Sequence, residues 1–319
     1  MTTQRRFRFG VMAEGVTTRR ELLETARAAE DLGYDVLLLR DHFVAEPFGN
    51  QLGPIAALAT VAAVTTRLRI GTLVACNDYR HPVLLAQEAA TLDVLSEGRF
   101  ELGLGAGFSL PEYEAAGIAF ERAGVRIGRL EEAVACLKAL FADGAATYRG
   151  KHYELRGLDG FPKPVQRPHP PLALAGALPR MLGLAAREAD IVQLQTVNLT
   201  SGYQVDDGRS RLAEAEAGRL QTLREQAGER LARLELSKIV SVVPGQRPAE
   251  IAADLARRRG WVGVSGEEVQ EMPSVLVGTT ERMVETLLQR RERFGFTYLV
   301  AGRDSMRALA PVVAALAGR

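Results

Sequence analysis

A repeated alternation between short apolar runs and longer amphipathic runs is the feature that most constrains the fold of this chain. Runs that are apolar at every position, such as residues 36–39, are typical of strands covered on both faces in a parallel sheet. The longer runs carry apolar residues at helical spacing. The alternation predicts eight strands, each followed by helical sequence, which lie near residues 7, 35, 68, 100, 171, 191, 236 and 297.

Eight strand–helix units within 319 residues predict an α/β protein with a (β/α)8 TIM-barrel fold and short insertions, as one domain over residues 1–319. A doubly wound sheet is the competing architecture, but it has a Gly-rich turn after its first strand, which residues 11–15 lack. The predicted helices cover residues 19–32, 54–65, 82–95, 127–141, 179–187, 209–230, 249–259, 280–294 and 306–317. A small hairpin is predicted over residues 147–155, whereas residues 261–277 are Gly-rich and show no clear period.

Charge and cysteine content limit the partners of this chain. It carries 40 Lys+Arg against 39 Asp+Glu, and the formal net charge of +1 excludes a strong nonspecific nucleic-acid partner. The two cysteines, Cys76 and Cys136, are too few for a secreted disulfide framework, and Cys76 has no second Cys or His at metal-ligand spacing, so no metal site is predicted. Neither a signal peptide nor an apolar run of membrane-spanning length is recognised, so we expect a soluble cytoplasmic protein.

Candidate site residues follow the predicted strands, since barrel enzymes place their chemistry at the C-terminal strand ends. Asp41 and His42 follow the second strand, where a carboxylate beside an imidazole can hold charge and move a proton near neutral pH. Three alternating glycines within residues 103–107, after the fourth strand, would let the backbone approach a ligand closely. Residues 175–177 form a small-residue turn before a helix, which is a ready anion site.

Taken together, these segments resemble the bacterial-luciferase-like (luciferase-like monooxygenase) superfamily of flavin and deazaflavin oxidoreductases, over nearly all of the chain. The segments that carry the resemblance by their order and spacing are Leu39-Arg40-Asp41-His42-Phe43, Leu68-Arg69-Ile70-Gly71-Thr72, His81-Pro82 with Ala86-Gln87, Leu92-Asp93 to Gly98-Arg99-Phe100, Gly103-Leu104-Gly105-Ala106-Gly107, Arg129-Leu130-Glu131-Glu132, Pro162-Lys163-Pro164-Val165-Gln166, and Leu184-Ala185-Ala186 with Ala189-Asp190. The Asp-His-Phe sequence after the second strand is similar to the branch that binds the deazaflavin coenzyme F420, while another branch binds FMN.

The resemblance implies an F420-dependent oxidoreductase that transfers a hydride between C5 of the deazaflavin and an organic substrate. It implies that His42 donates or accepts the proton, that Asp41 is a second catalytic residue that binds or orients the ring, and that a non-prolyl cis peptide bond lies at Leu73–Val74. The implied cofactor-binding residues are Asp41, Leu73, Val74, Ala75, Cys76, Gly105, Ala106, Gly107, Ala175, Gly176 and Ala177. Family members are often dimers, so a homodimer is expected, and a separate cofactor reductase is a further candidate partner.

Two departures from the family pattern bear on the substrate. The sugar-phosphate dehydrogenases of this family carry an acidic residue directly after the Gly-x-Gly turn, where this chain has Phe108, and the nearest carboxylate downstream is Glu112. Lys163 and Lys238 are the lysines of the second half, which gives no evident cationic clamp for a sugar phosphate. A fairly apolar substrate is therefore favoured. Two alternatives stay open: an FMN-dependent two-component monooxygenase that uses reduced flavin and oxygen, and a cofactor-binding protein without catalysis.

Overall fold

A computed structural model of the protein describes residues 5–196, 198–200 and 202–319. The strands in these residues, numbered in chain order, are β1 Arg8–Met12, β2 Val36–Leu39, β3 Arg69–Thr72, β4 Ala75–Cys76, β5 Phe100–Gly105, β6 Ala146–Arg149, β7 Glu154–Leu158, β8 Leu172–Gly176, β9 Ile191–Leu194, β10 Asn198–Thr200, β11 Tyr203–Val205, β12 Glu235–Pro244, β13 Val275–Gly278 and β14 Phe296–Gly302. The helices are α1 Arg19–Asp31, α2 Pro54–Ala62, α3 Pro82–Leu95, α4 Leu110–Ala115, α5 Ala123–Phe141, α6 Pro179–Glu188, α7 Ala213–Ala227, α8 Pro248–Arg259, α9 Gly266–Glu271, α10 Thr280–Phe294 and α11 Met306–Leu316.

Eight of the described strands form a closed parallel barrel, in the order β1, β2, β3, β5, β8, β9, β12 and β14. Strand β14 pairs with β1, and β9 pairs with β12, so the ring of strands has no free edge. These eight strands are the ones that the alternation of apolar and amphipathic runs predicts. The predicted (β/α)8 TIM barrel is therefore confirmed, whereas the single domain over residues 1–319 stays a prediction.

The two faces of the barrel strands explain why the strand sequences are apolar at successive positions. In β2, Leu37 and Leu39 pack in the layer between the strands and the surrounding helices, while Val36 and Leu38 pack inside the barrel. Side chains alternate between the two faces of a strand, so a strand buried on both faces needs apolar residues throughout. Because the barrel strands are all parallel, their C-terminal ends lie together at one end of the barrel.

Capping residues and glycines set where several of the helices begin and end. Helix α1 starts at a capping box in which Thr18 and Glu21 satisfy each other's backbone N–H groups. The helix predicted over residues 209–230 is shorter than expected, because a separate turn precedes α7 and Gly228, at φ +50°, ends it. None of the helices in the described residues is long and apolar enough to cross a membrane.

The insertions were predicted only in part. The expected hairpin near residues 147–155 is confirmed as β6 and β7. The stretch 261–277, for which no element was predicted, contains α9 and all but the last residue of β13, and β13 pairs with the C-terminal half of β12. A satellite core that includes Trp261 and Met272 holds this unit together. Helix α4 and the hairpin of β10 and β11 were also missed, because elements this short show no measurable period.

A cluster of ionic side chains closes the N-terminal end of the barrel. Arg8 forms ion pairs with Glu101 and Glu235, and the Nε of Arg69 lies 2.6 Å from the same Glu101 carboxylate. The Tyr298 hydroxyl also donates to Glu101, at 3.2 Å. Burial would raise the pKa of Glu101, but the two guanidinium groups hold it below its ordinary value. The barrel is thus filled by charge pairs at this end, opposite the strand ends where the candidate site lies.

Candidate active site

The residues predicted from the sequence lie together at the C-terminal end of the barrel. Asp41 and His42 follow β2, residues 73–76 run from the end of β3 through β4, residues 105–107 end and follow β5, and residues 175–177 end and follow β8. These four parallel strands are consecutive neighbours in the barrel. Because barrel enzymes carry their chemistry at this end, the four segments form one candidate site.

Asp41 is buried and both of its carboxylate oxygens have protein partners. Its Oδ2 accepts the backbone N–H of Cys76 at 3.0 Å, and the guanidinium of Arg80 binds both oxygens. Arg80 also pairs with Glu88, at 3.2 Å. Asp41 therefore ties the end of β2 to β4 and to the residues that follow it, which suits an orienting role. Its predicted contact with a cofactor ring stays a prediction. Arg80 was not predicted as a site residue. The signal that could have found it is that a buried carboxylate such as Asp41 requires a cationic partner.

His42 is bound by a carboxylate that sequence reasoning noted only for its position. The Nδ1 of His42 lies 2.8 Å from Oε2 of Glu112, and Oε1 of Glu112 accepts the backbone N–H of Phe43. The Glu112 side chain is 0% exposed and that of His42 is 12% exposed. Glu112 stands in the first turn of α4, so this short helix delivers a carboxylate to an imidazole 70 residues away in sequence.

Glu112 is an anion at neutral pH. Burial alone would raise its pKa, but hydrogen bonds from His42, the Phe43 backbone and the Tyr79 side chain outweigh burial, and the pKa lies below its ordinary value. Two oxygens thus serve three donors, which is the arrangement that stabilises a buried carboxylate. The site therefore holds an imidazole beside a fixed negative charge.

The peptide bond between Leu73 and Val74 is cis, as the resemblance implied. The strand opposite makes room for it. A Cβ added at Gly105 would lie 2.7 Å from a methyl group of Val74, and one added at Gly103 would overlap the carbonyl oxygen of Thr72. The alternating glycines were interpreted as room for a ligand, but the atoms that crowd these two positions belong to the protein.

Gly107 is required by its own neighbours. It has φ +75°, and a Cβ there would overlap the hydroxyl of Tyr113. That hydroxyl contacts the Sγ of Cys76 at 3.3 Å and donates to Asp78 at 3.0 Å. Burial raises the pKa of the Cys76 thiol to about 12, so Cys76 is a packing residue and no thiolate nucleophile. Whether residues 73–76 and 105–107 also touch a cofactor stays a prediction.

The turn of residues 175–177 leads into α6 and suits an anionic group. The turn is half-buried, and at Gly176 an added Cβ would lie 2.6 Å from the Cβ of Met181. Leu178, the N-cap residue of α6, gives no side-chain hydrogen bond to the first turn. Free N–H groups and the helix dipole at such an end favour negative charge. The small residues and uncapped helix end fit the phosphate of a cofactor such as F420 or FMN.

Aromatic side chains surround the His42 ring. The ring centroid of Phe48 lies 4.9 Å away and that of Phe108 lies 5.7 Å away. The Phe48 ring also carries the guanidinium of Arg40, at 4.1 Å from the ring centroid, and Arg40 pairs with Glu14. Phe48 and Arg40 were not predicted as site residues, because the loop that carries Phe48 has no periodic pattern. The imidazole is therefore set in an apolar wall at the mouth of the barrel.

A closed (β/α)8 barrel with an imidazole–carboxylate pair at the C-terminal strand ends has the architecture of a barrel enzyme. In comparisons with known proteins, residues 3–298 match the model of the luciferase-like monooxygenase family, and the chain belongs to this family. The family predicted by resemblance is confirmed.

Curated relatives of this chain include proteins named as F420-dependent enzymes. The chain is 35% identical over 175 residues, 53% of its length, to F420-dependent glucose-6-phosphate dehydrogenase of Kineococcus radiotolerans, of which this covers 50%. It is 33% identical over 184 residues, 56% of its length, to F420-dependent hydroxymycolic acid dehydrogenase of Mycobacterium tuberculosis, again covering 50%. The chain thus spans about half the length of the curated relatives it matches.

Solved structures share the whole fold. An F420-dependent secondary alcohol dehydrogenase in complex with an F420-acetone adduct superposes with a TM-score of 0.77 at 18% identity, covering 98% of each chain. The long-chain alkane monooxygenase LadA superposes with a TM-score of 0.75 at 14% identity, covering 98% of this chain and 92% of that one. At these identities the likeness shows the fold alone. The matched proteins are named as dehydrogenases and monooxygenases, which agrees with the predicted oxidoreductase class.

Proposed function

We propose that this protein is an F420-dependent oxidoreductase that transfers a hydride between C5 of the deazaflavin and a fairly apolar organic substrate. The observation that carries the proposal is the His42–Glu112 pair at the mouth of the barrel, because it supplies a proton-handling group where barrel enzymes react. The curated relatives named as F420-dependent support the deazaflavin over FMN.

The residues of the chain take distinct parts in this proposal. When bound, the deazaflavin would supply or accept a hydride at C5. Residues 175–177 and the start of α6 would hold its phosphate, and residues 73–76 with 105–107 would lie along its ring. His42 would give a proton to the substrate oxygen, or take one from it. Asp41 would keep the strand end that carries His42 in place through Arg80 and the Cys76 N–H.

The surroundings of His42 support an apolar substrate. Phe108 occupies the position where the family's sugar-phosphate dehydrogenases carry an acidic residue, and its ring packs edge-on against His42. Phe48 covers another part of the imidazole. Two aromatic rings offer a hydrophobic contact and no ionic partner to a sugar phosphate. A small alcohol or carbonyl compound with an apolar body suits this wall better.

We further propose that the enzyme works in the cytoplasm as a homodimer and exchanges its cofactor with a separate reductase. The support is the family resemblance, in which dimers are common. Light scattering on the purified protein measures the mass in solution, and a value near twice the chain mass of 34.6 kDa is expected.

Fluorescence titration with F420 and with FMN, each oxidised and reduced, tests the cofactor. We expect F420 to bind and to change redox state with a panel of alcohols, aldehydes and ketones, at a rate that His42→Ala lowers about 100-fold. His169→Ala is the matched control, since His169 is similarly buried but precedes β8 at the opposite end of the barrel.

Other outcomes would replace the proposal. Tight FMN binding without F420 binding, with oxygen consumed in the presence of reduced FMN, would establish the monooxygenase. F420 binding with no turnover that depends on His42 would point to a cofactor-binding protein without catalysis.

A further inference from the structure

We infer that Glu112 is the positioning residue that fixes the tautomer of His42, keeping the ring hydrogen on Nδ1 and leaving Nε2 as the atom that exchanges the proton. The inference deepens the proposed function. It rests on that function only for what Nε2 does in turnover, since the tautomer is a property of the protein alone.

The hydrogen-bond inventory of Glu112 carries the inference. Oε2 lies 2.8 Å from Nδ1 of His42, and the other oxygen accepts the Phe43 backbone N–H. The pKa of Glu112 is lowered, so the carboxylate carries no proton at neutral pH and can only accept. The hydrogen between Glu112 and His42 must then belong to the imidazole, on Nδ1. A neutral histidine has one ring hydrogen, so Nε2 presents a lone pair.

The remaining surroundings of His42 leave Nε2 free for a substrate. Within the part of the chain that the structure describes, Glu112 is the only hydrogen-bond partner of the imidazole. The rings of Phe48 and Phe108 pack against it without offering a proton acceptor. A ring that had no partner on Nδ1 could place its hydrogen on either nitrogen. Glu112 removes that choice before any ligand arrives.

The buried negative charge has a second effect. When Nε2 takes a proton the imidazole becomes a cation, and Glu112 stands in direct contact with it. A fixed carboxylate on the far nitrogen stabilises such an imidazolium without having to reorient. Loss of the charge with retention of the side-chain shape should therefore slow the proton step far more than it weakens ligand binding.

Glu112 also holds structure, because it joins α4 to the loop after β2 through Phe43. A merely structural role would lower stability and leave the tautomer of His42 as it was. Glu112→Gln separates the two roles, since the amide keeps the shape but loses the charge. If its oxygen keeps the Phe43 N–H, its NH2 group faces Nδ1 of His42 as a donor. Glu114→Gln is the matched control, an exposed residue on the same helix.

Nitrogen-15 NMR of the cofactor-free protein is the direct test. The chain has four histidines, so the imidazole signals are few, and a His42→Gln spectrum assigns the one in question. We expect hydrogen on Nδ1 of His42 in the wild type and in Glu114→Gln, and a shift toward hydrogen on Nε2 in Glu112→Gln. If wild-type His42 carries its hydrogen on Nε2, the inference is wrong, whether or not any variant folds.

Turnover with F420 gives the second readout. Glu112→Gln should lower kcat about 10- to 100-fold with KM for the substrate changed less than about twofold, and Glu112→Asp should recover part of the loss. An unchanged tautomer and a kcat equal to that of Glu114→Gln would reduce Glu112 to a structural residue. Failure of F420 to bind would contradict the proposed function but leave the tautomer result standing.

Discussion

At several positions in the mouth of the barrel, contacts within the protein restrict which residue type fits, as a bound ligand would. Gly103 faces Thr72 at the end of β3, Gly105 faces Val74 just after it, and Gly107 faces the hydroxyl of Tyr113. A glycine motif at a strand end is easily interpreted as a ligand-binding signal. Here it is first a consequence of how closely β5 approaches β3 and α4, and any ligand would meet a surface that these contacts have already shaped.

Gly107→Ala should lower the free energy of unfolding by about 3 kcal/mol, because the added methyl group overlaps the Tyr113 hydroxyl at a residue that also needs positive φ. Gly117→Ala is the control, since Gly117 has φ +67° but no atom within 4 Å of an added Cβ. In Gly117→Ala only the cost of placing alanine at positive φ remains, which lowers the free energy of unfolding by about 1 kcal/mol. Urea unfolding measures both, and equal losses would show that the overlap at Gly107 is relieved without cost.

At the scale of secondary-structure elements, carboxylates on two helices fix neighbouring loops by accepting hydrogen bonds from the backbone N–H groups of those loops. Oε1 of Glu30, in α1, accepts the N–H groups of residues 66–68 at 2.6 to 2.9 Å, just before β3. Glu132, in α5, accepts those of residues 151–153 at 2.8 to 3.1 Å, in the turn between β6 and β7. Each of these side chains fixes the entry to another element.

Glu132→Gln should make the stability of the β6–β7 hairpin less dependent on pH. Burial raises and the three N–H groups lower the pKa of Glu132, and the net direction is below its ordinary value of 4.5. Its stabilisation is thus fully present above about pH 4.5 and is lost as the pH falls through the folded-state value.

Urea unfolding should show Glu132→Gln less stable than the wild type by about 1 kcal/mol at pH 7, and the gap should close toward pH 3. The exposed Glu285→Gln is the control. A gap that persists at low pH would mean that the charge of Glu132 is not what holds the turn.

The elements that the sequence predicts are those with a sustained apolar pattern or with clear start and stop residues such as Pro and Gly. The barrel strands and the helices that cover them are recognised because each buries a continuous face. Helix α4 and helix α9 are six residues each, too short to show a period, and their place depends on tertiary contacts. The pairing of His42 with Glu112 could not be predicted for the same reason: 70 residues separate the partners, and only α4 brings them together.

In the molecule as a whole, the two ends of the barrel carry different groups of charged residues. The N-terminal end is closed by Arg8, Arg69, Glu101 and Glu235, which pair with one another. The C-terminal end carries the candidate site, where the His42–Glu112 pair is set among aromatic rings and the Asp41–Arg80 pair lies nearby. The ionic cluster thus lies away from the candidate site.

Glu101→Gln should destabilise the protein by about 3 kcal/mol, because it leaves two guanidinium groups without their shared buried partner. The affinity for F420 in a fluorescence titration should change less than about twofold, since Glu101 lies at the far end of β5 from residues 105–107. Urea unfolding and the titration check the two parts, with Glu285→Gln as the surface control. A large loss of cofactor affinity would show that the two ends are coupled.

The ionic closure of the N-terminal end has an evolutionary consequence. Substitutions that change the shape of the mouth leave the charge pairs at the other end intact. The stabilisation from those pairs is therefore kept when residues at the mouth are exchanged. A lineage built on this barrel can therefore exchange residues such as Phe48 and Phe108 while its fold persists. Descendants of one ancestor can come to accept different substrates, and the sequences that diverge most would then be those of the loops around the mouth.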